Sequence, residues 1–109
     1  MDEREYERLA TATLGRVLDL FEDVDPDQAD VEHAGDVITI DLGPTGGKVV
    51  LNTQRPARQL WLAGGRRAWH FSLDAKSQQW LDERQGGQEL FSVLTDLCRN
   101  AGLDLSTGA

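Results

Sequence analysis

Tyr6, Ala10, Thr13, Leu14, Val17, Leu20, Phe21 and Val24 recur at spacings of three and four. That spacing lines one side of an α-helix and predicts a helix reaching Val24. Asp2, Glu3, Glu5 and Glu7 suit its N-terminal end, where the macrodipole favours negative charge. Gly15 weakens such a helix by about 1 kcal/mol relative to Ala, unless packing overrides the loss. Asp25-Pro26-Asp27 predicts the stop, because a residue preceding proline disfavours the α region.

The period then changes from helical to alternating. Val37 to Leu42 places Ile38, Ile40 and Leu42 on one side, with Thr39 and Asp41 on the other. Gly43 to Gly47 predicts a turn, and Lys48 to Asn52 a returning strand. After the break at Pro56, strands are expected over Gln59–Ala63 and Arg67–Leu73, joined by a Gly64-Gly65 turn. Asp74 to Ser77 turns into a last short strand around Gln79–Leu81. Beyond Gly86-Gly87, the positions Leu90, Phe91, Leu94, Leu97, Cys98 and Ala101 form a second helical stripe, and Gly102 fits a left-handed C-terminal cap. Leu103-Asp104-Leu105 predicts a tail tucked into the gap between the helices.

The order helix, strands, helix predicts an α+β two-layer sandwich, with two helices packed on one face of an antiparallel sheet. The opposite face is left to solvent or to a partner. One domain over residues 1–109 is expected from the length. With 39% hydrophobic and 28% charged residues, the composition is that of an ordinary globular protein. No apolar run approaches the ~20 residues of a membrane-spanning helix. The start Met1-Asp2-Glu3-Arg4-Glu5 has neither a secretory nor an organelle-targeting pattern, so a cytoplasmic protein is expected. The lone Cys98 lies on the second apolar stripe, where an inert buried thiol is expected.

Charge changes the picture more than composition does. The net charge is −8, but residues 1–47 hold thirteen acids against three bases, whereas residues 48–109 hold six against eight. Between Arg16 and Lys48 there is no Lys or Arg, yet nine acids lie there: Asp19, Glu22, Asp23, Asp25, Asp27, Asp30, Glu32, Asp36 and Asp41. Such a field repels nucleic acid and anionic membrane and attracts cations or basic protein surfaces. A solvated acidic face that aids solubility is the plainer alternative.

Asp19, Glu22 and Asp23 are spaced to share the face opposite the apolar stripe, and Asp25, Asp27, Asp30 and Glu32 continue the ridge beyond the helix. Carboxylates suit iron, but equally magnesium, calcium and manganese. No Glu-x-x-His pair or cysteine cluster is present to build a closed site, so weak, exposed, salt-sensitive cation binding is expected. His33 lies in the acidic segment, either as an added nitrogen ligand or as an ordinary surface residue. Arg66 and Arg67 stand at a turn where they could pair with a partner's acids.

The segment Asn52-Thr53-Gln54-Arg55-Pro56-Ala57-Arg58-Gln59-Leu60-Trp61-Leu62-Ala63 resembles the signature of the frataxin family: Asn-x-Gln, then Pro, then Gln-aliphatic-Trp-aliphatic. Glu5-Tyr6-Glu7-Arg8-Leu9-Ala10 is similar to the opening of its bacterial members, and Gly64-Gly65 with Trp69-His70-Phe71 to their turn and next strand. The similarity runs over residues 4–106. It implies the frataxin fold, weak surface binding of ferrous or ferric iron, and contact with cysteine desulfurase and the iron–sulfur scaffold protein. Asp19, Glu22 and Asp23 match the family's metal positions, while Leu18 stands where bacterial members often carry an acid. Asn52, Gln54, Gln59 and Trp61 match its partner-contact positions, and Arg67 joins them as a candidate contact.

Trp61 alternates with Leu60 and Leu62, so the three cannot share a face; leucines turned to the helices would turn Trp61 outward. The function implied is an accessory of iron–sulfur cluster assembly that regulates the desulfurase or supplies iron to the scaffold. The alternative is an acidic interaction adaptor without a metal role. An open row of carboxylates argues against a ferroxidase, so no enzymatic activity is expected. A monomer is expected, with no nucleic-acid or membrane partner.

Overall fold

A computed structural model describes residues 1–105 of the chain. Helix α1 spans Glu3–Leu20, and Asp2 caps it by accepting the Glu5 N–H at 2.8 Å. The helix stops four residues short of Val24. From Phe21 onward the chain makes tight turns, with Phe21 N–H donating to Leu18 C=O and Val24 N–H to Phe21 C=O, both at 3.1 Å. Those turns keep the helical heading long enough for Phe21 to remain buried and Val24 half-buried.

Seven strands follow: β1 (Asp30–Ala34), β2 (Val37–Asp41), β3 (Lys48–Gln54), β4 (Gln59–Gly64), β5 (Arg67–Asp74), β6 (Gln79–Asp82) and β7 (Gln88–Glu89). They form one antiparallel sheet in chain order, β1 to β7. Strand β1, over which the apolar alternation predicts no strand, pairs with β2, and β7 adds two residues beyond β6. The β2–β3 connection contains a single helical turn, α2 (Gly43–Gly46). Gly46 is needed there, because a Cβ would lie 2.6 Å from Leu42 Cβ and 2.7 Å from Ala101 Cβ.

Helix α3 (Leu90–Asn100) starts at Glu89, whose carboxylate accepts the Phe91 and Ser92 N–H groups at 2.8 and 3.0 Å. It ends with Gly102 at φ +90°; Gly102 N–H donates to Arg99 C=O and Leu103 N–H to Cys98 C=O. That pair of bonds is a Schellman cap, the left-handed ending expected of this glycine.

The core lies between the helices and the inner sheet face. Ile38, Ile40, Val49, Leu51, Leu60, Leu62, Trp69, Phe71 and Trp80 come from strands, with Tyr6, Ala10, Leu14 and Val17 from α1 and Leu90, Val93, Leu94 and Cys98 from α3. Leu103 and Leu105 of the tail are buried in the same core. Its few polar groups are satisfied. The Trp80 indole N–H donates to Thr13 Oγ1 at 2.9 Å, and the Tyr6 hydroxyl donates to Gln59 C=O at 2.7 Å while accepting the Gln54 N–H at 3.2 Å. Burial pushes the Tyr6 hydroxyl above its ordinary pKa and the Cys98 thiol up to about 11, which makes Cys98 an inert thiol.

Candidate functional site

Strand parity sorts the candidate residues onto surfaces. On β2 to β5 the residues between Ile38, Ile40, Val49, Leu51, Leu60, Leu62, Trp69 and Phe71 point away from the helices. The register then lays out rows across that outer face. One row runs Val37, Asn52, Trp61, His70, and the next runs Gln54, Gln59, Ser72, Leu81. The structure thus brings Asn52, Gln54, Gln59 and Trp61 together.

Trp61 is half-buried, while its neighbours Leu60 and Leu62 are fully inside, so the indole belongs to the outer face. Its ring stacks on His70, with centroids 4.0 Å apart and planes 10° apart. Its Nε1–H donates to Gln59 Oε1 at 2.8 Å, and the Gln59 amide donates to Ser72 Oγ at 3.1 Å. The face is therefore an aromatic plate with its polar edge fixed in place, continued by the exposed Val37 at 38% accessibility. His70 and Ser72 were not singled out by sequence reasoning. The alternation Trp69-His70-Phe71 carried the signal, since two buried aromatics force the residue between them outward.

Arg67 does not join this group. It shares strand parity with Trp69 and Phe71, so it lies on the helix side of the sheet, its guanidinium 4.7 Å from the Trp69 ring centroid and hydrogen-bonded to Gln85 Oε1 at 2.7 Å. Trp61 and Arg67 thus occupy opposite faces.

The seven acids expected to form a ridge start at the end of α1 and continue past it along the chain. Asp19 lies in the last turn, Glu22 and Asp23 in the turns that follow, Asp25 and Asp27 in the loop, and Asp30 and Glu32 on edge strand β1. The expectation that Asp19, Glu22 and Asp23 share one helix face therefore changes: only Asp19 is helical, because α1 ends at Leu20. All seven are exposed. Among the described residues none of the seven has a basic nitrogen within ion-pair distance; the acids that do are Glu7, Asp36, Asp82, Asp96 and Asp104. The last turn of α1 carries no basic residue, so Asp19 adds to the negative end of the helix dipole. Asp25 Oδ1 is partly engaged by the Asp27 N–H at 2.9 Å.

His33 stands apart from the ridge acids of its own strand. It alternates with Asp30 and Glu32, and its Nε2 lies 2.9 Å from the Gly35 C=O. Among the described residues no three His, Cys, Asp or Glu side chains converge into a metal-ligand group. The seven acids are thus exposed and are not gathered into a closed metal site among the described residues.

One acid behaves differently. Asp82, 0% exposed, accepts the His70 N–H at 2.9 Å, the Arg84 N–H at 3.0 Å and the Gln85 side-chain amide at 3.2 Å. Burial opposes its ionisation, but these hydrogen bonds and the Arg84 guanidinium outweigh it and hold the carboxyl below its ordinary range. It fixes the inner layer beneath His70 rather than binding a ligand. No helix is long and apolar enough to cross a membrane among the described residues.

The family model of the frataxin-like domain matches residues 1–102. An iron-sulfur cluster assembly protein CyaY from Janthinobacterium sp. (strain Marseille) is 34% identical over 105 residues, covering 94% of this chain and 91% of the relative. A protein of the same name from Pseudomonas aeruginosa is 36% identical over 94 residues, covering 86% and 83%. Among solved structures, frataxin from Psychromonas ingrahamii superposes over 100% of both chains with a TM-score of 0.83 at 21% identity, a likeness of fold. Yeast frataxin matches with a TM-score of 0.70 at 29% identity, covering 90% of this chain and 80% of that one.

Proposed function

The chain belongs to the frataxin-like family, and from that premise we propose that it is an accessory protein of iron–sulfur cluster assembly. In this reading the acidic ridge holds iron weakly and docks on a basic surface of cysteine desulfurase. The outer sheet face, centred on Trp61, meets the scaffold protein. The chain then regulates the desulfurase or hands iron onward, without itself catalysing a reaction.

The observation that carries this reading is that all seven acids are exposed and none has a basic partner among the described residues. Unpaired charge of one sign raises the local concentration of cations and steers a basic partner into contact. Open carboxylates exchange ligands readily and release what they hold, which suits a cargo ion better than a resident cofactor.

Ferrous ion added without oxygen is expected to shift amide resonances between Asp19 and Glu32 and leave α3 unmoved. Asp19→Lys with Asp23→Lys is expected to weaken binding to the desulfurase, most at low salt. Unmoved ridge resonances would discard the metal role. An acidic adaptor, which needs only the charge, would survive if the double variant still weakened docking. Unchanged affinity would discard ridge docking as well.

A further inference from the structure

Beneath the second half of α3 lies a cleft of about 340 Å³. Val49 and Trp69 border it from the sheet, and Val93 and Leu97 from the helix. Its size falls within the range of small-molecule sites, and Thr45, Arg67, Gln88, Asp96 and Asn100 give it a largely polar lining beside those apolar side chains. Gly65, in the left-handed region at φ +59°, lies at its edge, where a Cβ would come within 3.2 Å of Leu97 Cδ2.

The polar groups of the cleft are not equivalent. Asp96 is paired with Arg99 at 3.1 Å, and the Gln88 side-chain oxygen is occupied by the Trp69 indole N–H at 2.8 Å. Arg67 has only a neutral partner, the Gln85 amide oxygen, and no carboxylate within ion-pair distance among the described residues. The guanidinium also lies over the Trp69 ring. A stacked, weakly hydrated guanidinium with uncommitted N–H groups is prepared for a planar anion.

We infer that this cleft binds a small organic carboxylate, with its anionic end on the Arg67 guanidinium and its apolar body against Leu97 and Val93. The site is separate from the acidic ridge and from the Trp61 face, and it does not depend on the reading of either.

Phenylacetate, inorganic phosphate and 2-phenylethanol, titrated against the full chain by amide NMR, separate the two parts of the recognition. Phenylacetate is expected to give saturable millimolar shifts at Gly65, Val93 and Leu97, while phosphate and the neutral alcohol bind markedly more weakly. Arg67→Gln is expected to weaken phenylacetate about tenfold or more, the loss of a charged hydrogen-bonded contact. Arg58→Gln, a distant exposed arginine, is expected to change nothing. Asn100→Trp, which fills the cleft from an exposed helix position, is expected to compete with the probe; the dispersion of each variant's spectrum reports that it has folded. No saturable shift with phenylacetate, equal binding by Arg67→Gln, or equal binding of phosphate would each overturn the proposal.

Discussion

The Trp61 indole lies flat on the His70 imidazole across β4 and β5, with 4.0 Å between ring centroids, on the face of the sheet that carries no helix. A half-exposed stacked pair stabilises the fold modestly, by about 0.5–1.5 kcal/mol beyond the area it covers. Trp80, on the inner face, is 4% exposed, bonds to Thr13 and meets Tyr6 edge-on at 6.2 Å. Trp61→Ala should therefore cost little stability, and under the proposed function it should weaken binding to the scaffold protein, whereas Trp80→Ala should cost about 3–5 kcal/mol. Urea unfolding followed by circular dichroism compares the two directly. Similar large losses would place Trp61 in the core.

Asp82 should make stability depend on pH at the acid end. Its carboxyl titrates lower in the folded chain than in the unfolded one, so the stabilisation is complete above the unfolded value, about pH 4. It is lost as pH falls through the folded value. Asp82→Asn keeps one acceptor but turns an amide donor toward N–H groups, and should cost about 1–3 kcal/mol at neutral pH. The gap between parent and variant should narrow below about pH 4. A gap of constant size from pH 7 to pH 3 would contradict this role.

The ridge acids should repel one another. Sodium chloride or magnesium chloride is expected to raise the melting temperature, and Asp23→Lys should raise it at low salt. A gain of about 1 kcal/mol corresponds to ~4–8 °C for a domain near this size. A flat melting temperature across the titration would show that the seven charges lie too far apart to matter.

Two glycines should respond with opposite signs to the same added methyl group. Gly46→Ala meets Leu42 and Ala101 at 2.6 and 2.7 Å and should cost about 1–3 kcal/mol. Gly15 lies within α1, and the space its Cβ would enter is open to beyond 4 Å, so Gly15→Ala should stabilise the chain by about 1 kcal/mol. Paired denaturation curves test both.

Much of the architecture was legible because burial alternates or recurs plainly. The α1 stripe, strands β2 to β5 and α3 all carry apolar residues at the period of their element. Strand β1 did not announce itself, because Asp-Val-Glu-His-Ala is an edge strand with only Val31 half-buried. Strand β7 is two residues long, too short for any period to show. The overrun of α1 to Val24 has a physical reason: turns that follow a helix can keep its apolar spacing without its hydrogen bonds. On the surfaces, exposure of the acids was readable from their separation from the apolar stripe. Arg67, a candidate contact alongside Trp61, lies on the opposite face from it, because strand parity groups it with Trp69 and Phe71. Asp82 was missed because most of its partners are backbone N–H groups and a neighbouring amide, which leave no charge pattern to read.

The sheet's chain-order pairing bears on how the molecule assembles. Each hairpin brings together segments only a few residues apart, so little loop-closure entropy opposes its formation. Distant contacts are made by α1, through the Thr13–Trp80 hydrogen bond and the Arg16 guanidinium 4.3 Å from the Phe91 ring centroid, and by α3, which packs on α2. A meander of this kind favours fast folding for a largely β-structured chain, with the first helix seated after the rate-limiting step. Substitution at Thr13 would then act on the unfolding rate more than on the folding rate.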